Sequence, residues 1–260
     1  MNKTLIKLLF FTLALFVCDS LWAQTTGKVS YEQITTYDFG DYKSDPRWEA
    51  WLADQPKQGK NKYLLSFVNN TAFYKTDPND DAPMSEKLQS ALKKANWGKG
   101  PKPEMKEVFY DFDKGKQVEQ IEFMTRNFQV SSAIEPMAWK LTSQKKKILD
   151  YVCIGAETTK NGQVFTAWFT AEIPISGGPA GYIGLPGLVL AVEKNEEVFI
   201  LATEVDLSFE VKELASQLKD GRRMTREAFD ATVAAKTEEF KANMKNKSGG
   251  GAKRLGGKGQ

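Results

Sequence analysis

Residues 148–170 read ILDYVCIGAETTKNGQVFTAWFT, and this stretch decides the fold class. Two apolar, strand-like runs, Ile148 to Gly155 and Gln163 to Thr170, flank a loop that closes on Asn161-Gly162. Asn and Gly both tolerate positive φ, so this dipeptide is typical of the tight turn between two antiparallel strands. The stretch therefore predicts a β-hairpin.

Similar pairs of apolar runs recur along the chain, each joined by a short polar turn. The predicted strands are Gly27 to Phe39, Tyr63 to Val68 with Ala72 to Tyr74, Glu107 to Phe112 with Lys116 to Met124, and Leu188 to Val192 with Val198 to Val205. Consecutive hairpins build an antiparallel meander, because parallel strands would need crossover helices between them. We predict an α+β fold, mainly antiparallel β, with a curved meander sheet.

Helices are predicted in three places outside these strands. Residues 41–61 are polar and contain two tryptophans, which indicates a short helix within a loop. A second helix begins at Ser85, and Thr225 can cap a C-terminal helix that ends near Met244. The helices are few and short, so the sheet remains the main element of the fold.

The C-terminal residues 246–260 are rich in Gly and Lys and predict a disordered basic tail. Residues 241–260 contain six basic and no acidic residues, whereas the whole chain has a net charge of only +3. The remaining body is therefore mildly acidic, which argues against nucleic-acid binding. The tail either contacts anionic lipid or an acidic partner, or serves only as a soluble terminus.

The N-terminal 23 residues have the pattern of a secretion signal. Lys3 and Lys7 precede an apolar run from Leu8 to Val17, which is too short to span a bilayer, and Ala23 suits cleavage before Gln24. An alternative makes Cys18 the first residue of a lipoprotein. Both interpretations predict an exported protein, and no later run is apolar for long enough to predict a transmembrane span.

The chain contains no histidine. This absence excludes a Ser-His-Asp or Cys-His catalytic centre and any zinc site that uses imidazole. If cleavage follows Ala23, Cys153 is the single remaining cysteine, and its apolar neighbours predict burial rather than reactivity. No cofactor is predicted.

The segment from Ala167 to Leu190 is unusually rich in Gly and Pro. It lacks a following helix and a Lys-Ser or Lys-Thr pair, so it does not fit a phosphate-binding loop. It either fixes tight turns or contacts a ligand or partner. For the second interpretation the candidate binding residues are Trp168, Thr170, Glu172, Pro174, Gly178, Pro179, Gly184, Leu185, Pro186 and Gly187.

The same segment resembles a known family. Trp168-Phe169-Thr170, Glu172-Ile173-Pro174, Gly178-Pro179 and the run Gly184-Leu185-Pro186-Gly187-Leu188-Val189 are similar to the signature of the GLPGLI family of exported proteins of Gram-negative bacteria. The resemblance is dense over residues 139–204, with Val189 where the family name has isoleucine. It implies a β-rich domain over residues 24–245 and a location in the periplasm or at the outer membrane. It supplies no catalytic residues.

Several other residues could carry chemistry. Asp77, Asn79 and Asp81 place oxygen atoms at alternate positions, but Ala82 and Leu88 stand where a calcium loop needs Gly and Glu. Candidate carboxylate pairs for acid–base catalysis are Glu119 with Glu122 and Asp111 with Asp113. Ser176 with a lysine would form a dyad, but it lacks the Gly-x-Ser-x-Gly turn. Solvated turns and strand faces explain these residues equally well, and no metal site is predicted.

These observations favour binding over catalysis. Aromatic residues make up 12% of the chain, and a curved sheet that carries them can leave an apolar concavity for a ligand. The leading prediction is a non-catalytic envelope protein that binds an apolar ligand or an envelope protein partner. The alternative is a carboxylate-dependent hydrolase that acts on envelope polymers.

Overall fold

A computed structural model describes residues 26–37, 39–40, 46–80, 85–95, 100–135, 137–160, 162–195, 197–211, 214, 218 and 221–250. The predicted signal peptide, Cys18, Trp97, Asp81, Asn161 and residues 251–260 lie outside the described residues. Within them, no helix combines the length and the apolar composition that a membrane crossing requires.

Twelve strands of the described chain form one open sheet. They are β1 (Thr26–Thr36), β2 (Gln58–Val68), β3 (Thr71–Thr76), β4 (Glu104–Asp111), β5 (Lys116–Phe123), β6 (Arg126–Ala133), β7 (Lys140–Ile148), β8 (Tyr151–Lys160), β9 (Gln163–Thr170), β10 (Leu188–Lys194), β11 (Glu197–Asp206) and β12 (Arg222–Thr225). Their spatial order is β12-β6-β5-β4-β3-β2-β1-β11-β10-β9-β8-β7. The sheet therefore consists of two meanders, β1 to β6 and β7 to β11, joined where β1 pairs with β11.

The pairing confirms the predicted α+β class, mainly antiparallel β. Every paired strand is antiparallel to its neighbour except β12, which runs parallel to β6 at one edge. Asn69 (φ 52°), Gly115 (φ 58°) and Gly162 (φ 73°) occupy the left-handed region in three of the predicted turns. Turn residues that tolerate this backbone conformation thus fix the hairpins at the predicted places.

The described helices are α1 (Pro46–Ala53), α2 (Glu86–Ala95) and α3 (Arg226–Gly250). Ser85 caps α2, since its Oγ accepts a hydrogen bond from the Leu88 N–H at 3.3 Å. Thr225 caps α3 in the same way through the N–H of Ala228, also at 3.3 Å. Both caps were predicted, but α3 extends beyond Met244, so residues 246–250 of the predicted tail belong to this helix.

Three strands were not predicted, and each has a physical reason. β7 contains Lys145, Lys146 and Lys147 at an edge of the sheet, where charged side chains hide the usual apolar alternation. The turn before β8 uses Leu149 at φ 52°, so Ile148 belongs to β7 and not to the strand predicted from Ile148 to Gly155. The turn before β6 uses Met124 and Thr125 at positive φ, which their sequence does not indicate. β12 was not predicted because it has only four residues.

The core lies mainly on one face of the sheet, which we call the concave face and which carries Tyr31, Leu65, Tyr74 and Val108 in matching register. Most of one buried cluster lies on this face over β1 to β4 and β8 to β11, together with Ile173, Ile175, Ile183 and Leu185 from the segment between β9 and β10. A second cluster lies over β5 and β6, where Phe229 of α3 packs on Phe123 and Phe128. Two separate inserts thus cover the two halves of the concave face.

The sheet is strongly curved. Glu119 on β5 and Lys160 at the end of β8 border the same cavity. Eight strand spacings separate β5 from β8 in the sheet order, and a flat sheet would place these strands about 38 Å apart. The two halves therefore fold toward each other, as the predicted curved meander requires.

Candidate functional site

A cavity of about 550 Å³ lies between the two core clusters. Its walls come from β4 to β6, the end of β8, the turn around Pro179–Gly181 and the start of α3. The lining residues are Met105, Val108, Tyr110, Gln117, Glu119, Ser132, Ala133, Glu135, Met137, Lys160, Ala180, Gly181, Tyr182, Ile183, Arg226 and Asp230. Its volume falls within the range of about 300–1,000 Å³ that is usual for small-molecule sites.

Charged residues occupy the wall formed by β5 and α3. Arg226, the first residue of α3, forms an ion pair with Glu119 in the middle of β5, and its other guanidinium nitrogen lies 3.5 Å from Asp230. The Glu119 side chain is only 18% exposed, so its carboxylate needs this charged partner. The pair holds the start of the helix against the sheet and gives the cavity fixed hydrogen-bonding groups.

Aromatic rings also line the cavity. Tyr182 packs with its ring centroid 5.5 Å from that of Phe165 and 6.5 Å from that of Trp139. The Trp139 indole donates a 2.8 Å hydrogen bond to the carbonyl of Ile183, which fixes the turn that carries Tyr182. Burial raises the pKa of Tyr182 to about 12, so its hydroxyl stays protonated and able to donate. Tyr110 provides a second ring from β4.

None of the ten predicted binding residues lines this cavity, although the four residues from Ala180 to Ile183 between them do. Trp168 lies on the opposite, convex face under the Lys146 ammonium group, which is 4.1 Å from the ring centroid, and Lys146 also pairs with Glu193. The carboxylate of Glu172 accepts a 3.0 Å hydrogen bond from the Val152 N–H. Thr170, Gly178, Pro179, Leu185 and Gly187 are buried, whereas Pro174, Gly184 and Pro186 are exposed.

Close backbone approach explains two of the glycines in this segment. A Cβ at Gly178 would lie 2.1 Å from the carbonyl oxygen of Tyr182, and one at Gly187 would lie 2.1 Å from that of Thr170. Ile173, Ile175, Ile183 and Leu185 point into the core at 3% exposure or less. The segment therefore covers its half of the concave face and leaves the cavity beside it.

The predicted carboxylate pairs are not brought together as acid–base pairs. Glu119 and Glu122 are three residues apart on one strand and point to opposite faces, and Glu122 lies 3.7 Å from Lys106. Asp111 accepts a 2.7 Å hydrogen bond from Lys114 Nζ, and this contact lowers the pKa of its carboxyl group. Asp113 accepts one of 2.7 Å from the Asn70 amide. Asp111 and Asp113 thus form hydrogen bonds that stabilise the turn before β5.

The remaining candidates have structural roles in the described part of the chain. Asp77 accepts a hydrogen bond from the Asn79 N–H at 2.9 Å, as in an ordinary turn, and no group of metal-ligating side chains occurs among the described residues. The Ser176 carbonyl accepts the Gly184 N–H at 3.1 Å. Cys153 is fully buried, and burial raises the pKa of its thiol to about 11. The predicted burial of Cys153 is confirmed.

Sequence reasoning missed Glu135, Tyr182, Arg226 and Asp230 as site residues. They come from a loop, a turn and a helix that meet only because the sheet curves. Glu119 was selected, but with Glu122 as its partner instead of Arg226. The charged start of α3 after the Thr225 cap was the one local signal that could have indicated Arg226.

The fold and the cavity define a class: an open, mainly antiparallel sheet that curves around a mixed polar and aromatic site. The profile of the family described as the N-glycanase peptide, N-terminal domain, matches residues 111–231, which run from the end of β4 into α3. No curated protein matches the chain.

Two solved structures of PNGF-II, in space groups P21 and C2, are similar in fold. They have TM-scores of 0.54 and 0.53 and sequence identities of 15% and 16%, over 80% and 81% of this chain. The chain spans 33% of the length of each. The similarity to these structures is one of fold and includes most of the sheet.

Proposed function

We propose that this chain is an exported protein of the cell envelope, the location that the GLPGLI resemblance implies, that it binds a ligand without catalysis, and that this ligand occupies the cavity. The observation that carries the proposal is the position of the cavity between the two core clusters. The segment between β9 and β10 and the helix α3 cover the concave face on both sides, yet they leave about 550 Å³ between them. The cavity is partly open to solvent, and clefts of this size are the usual sites of small ligands.

The chemistry of the walls indicates the class of ligand. Tyr110 and Tyr182 offer ring surfaces, while Glu119, Arg226 and Gln117 offer hydrogen-bond acceptors and donors. A carbohydrate presents apolar C–H surfaces and many hydroxyl groups, so it suits the rings and the polar side chains together. The similarity to an N-glycanase domain supports the same class. A purely apolar ligand, the other occupant that the sequence suggests, would bury the Glu119–Arg226 pair without replacing its contacts with water.

Calorimetric titration of the full chain tests this proposal. The probes are maltose, cellobiose and diacetylchitobiose, with a long-chain fatty acid as the apolar competitor. We expect at least one sugar to bind. The Glu119→Gln variant should weaken that binding about tenfold, which corresponds to a lost charged hydrogen bond.

Glu122→Gln is the matched control, because Glu122 lies on the same strand but on the opposite face. It should bind like the wild type. Binding of the fatty acid alone, or equal losses in both variants, would contradict the carbohydrate proposal.

A second candidate is a carboxylate-dependent hydrolase that acts on envelope polymers. The observation in its favour is that Glu119, Glu135 and Asp230 all line the one cavity. Hydrolysis of a polymeric glycan by the wild type, lost in Glu135→Gln or Asp230→Asn, would support the hydrolase. Binding of intact sugar without any product would support the binding protein.

A further inference from the structure

The buried hydroxyl of Tyr74 is the strongest unexplained polar group near the cavity. Tyr74 is 1% exposed, and in the described part of the chain its Oη has no hydrogen-bond partner. A buried hydroxyl without a partner destabilises the fold, and native structures seldom retain one without a reason.

Register places Tyr74 next to residues that line the cavity, although Tyr74 itself does not line it. Tyr74 lies opposite Val108 on the neighbouring strand, and Val108 lines the cavity. Tyr110, which also lines it, lies opposite Ala72 and is therefore the diagonal neighbour of Tyr74 on the same face. Side chains at such positions are within contact distance for long rings.

A cluster of tyrosines converges at this point. The Tyr74 ring stacks on that of Tyr63 at a centroid distance of 5.2 Å. Burial raises the pKa of Tyr74, and the nearby phenol groups of Tyr63, Tyr31 and Tyr110 raise it further. Tyr31 already donates its hydrogen bond to the Val189 carbonyl, at 2.6 Å, so its hydroxyl proton is not offered to Tyr74.

We infer that the Tyr74 hydroxyl is the deep hydrogen-bonding subsite of the cavity and donates to a ligand hydroxyl that enters beside Val108 and Tyr110. This inference rests on the proposed carbohydrate-binding function and adds to it the residue that contacts the buried end of the sugar. Glu119, which lies opposite Val108 on the neighbouring strand, and Arg226 line the same cavity, so the ligand is contacted from β3, β5 and α3.

The test uses the full chain and the tightest-binding sugar among maltose, cellobiose and diacetylchitobiose. Tyr74→Phe removes only the hydroxyl, so without ligand its unfolding midpoint should equal or exceed that of the wild type. Its dissociation constant for the sugar should rise about tenfold, as expected for one lost hydrogen bond. Tyr63→Phe is the control, because it keeps the same ring stack but changes a half-buried hydroxyl; it should bind normally.

Two results would overturn the inference while leaving the proposed function intact. One is wild-type affinity in Tyr74→Phe when Glu119→Gln has lost affinity. The other is a lower unfolding midpoint in Tyr74→Phe with unchanged affinity, which would assign the hydroxyl to a bound water within the fold. Failure of every sugar to bind the wild type would instead reject the proposed function itself.

Discussion

The hydroxyl of Tyr31 donates a 2.6 Å hydrogen bond to the backbone carbonyl of Val189, across the intervening strand β11. The register between β9 and β10 shifts between Val189 and Ala191, and this irregularity interrupts the ladder beside Val189. The bond therefore ties the first meander to the bulge of the second. It also gives a buried tyrosine the partner that Tyr74 lacks.

Tyr31→Phe should lower the free energy of unfolding by about 1–2 kcal/mol, because it leaves a buried carbonyl without its donor. Urea denaturation followed by tryptophan fluorescence measures this change. Tyr74→Phe is the control and should cost nothing, since its hydroxyl has no bond to lose. Equal losses in both variants would contradict the assignment of the Tyr31 bond as stabilising.

Gly178→Ala should destabilise the fold by about 3 kcal/mol, because the new Cβ would meet the Tyr182 carbonyl at 2.1 Å. Gly178 has an extended φ of −179°, so the cost comes from crowding alone. Gly181→Ala isolates the cost of backbone strain. No atom lies within 4 Å of a Cβ at this position, but its φ is +82°, which should cost about 1 kcal/mol. Thermal unfolding of the two variants measures both costs, and the reverse order would count against the described turn.

The stability of the protein should fall in alkaline solution. Burial raises the pKa of the Cys153 thiol from 9.0 to about 11, so above pH 9 the unfolded chain loses a proton that the folded chain keeps. Proton loss then favours the unfolded state, by about 2–3 kcal/mol at pH 11. Burial also raises the pKa of Tyr31, Tyr74 and Tyr110, so these residues extend the loss to higher pH.

Urea titrations at pH 7, 9, 10 and 11 test this prediction. Cys153→Ala should lower stability at pH 7 but show a smaller further loss between pH 9 and pH 11. A wild-type stability that stays constant over this range would show that the thiol ionises equally in both states.

Arg226→Ala should destabilise the protein by about 1–3 kcal/mol, because it leaves the mostly buried Glu119 carboxylate without its partner. Amide hydrogen exchange should rise in β12 and the first turns of α3, which the pair holds on the sheet. Arg223→Ala is the control: this exposed side chain makes one 3.2 Å bond to Gln129, and its loss should cost less than about 0.5 kcal/mol. Unchanged exchange at the start of α3 would contradict the tethering role.

The sequence predicts those parts of the fold that depend on local backbone preferences. Gly115 and Gly162 accept positive φ at no steric cost, so their hairpins were predicted correctly. Leu149 adopts a φ of 52° only because β7 and β8 pair around it, and no local preference indicates such a turn. Pairing between β7 and β8, rather than local backbone preference, therefore determines the turn at the β7 edge of the sheet.

The cavity depends on curvature, which no short stretch of sequence encodes. Lys160 and Glu119 meet at the cavity because the whole sheet bends, while their local sequences show only a hairpin turn and a strand. The Gly- and Pro-rich segment was correctly recognised as unusual. The structural interpretation of the segment, tight turns and close backbone approach, accounts for Gly178 and Gly187.

The central position of β1 has a consequence for how the chain is made. β1 is the first described strand of the sequence, yet it pairs on one side with β2 and on the other with β11, Lys28 lying opposite Asp206. During synthesis from the N-terminus, the first meander is complete long before β11 leaves the ribosome. Until then β1 presents an unpaired edge, so a half-made chain is open to association with other chains and benefits from a partner that keeps it unfolded.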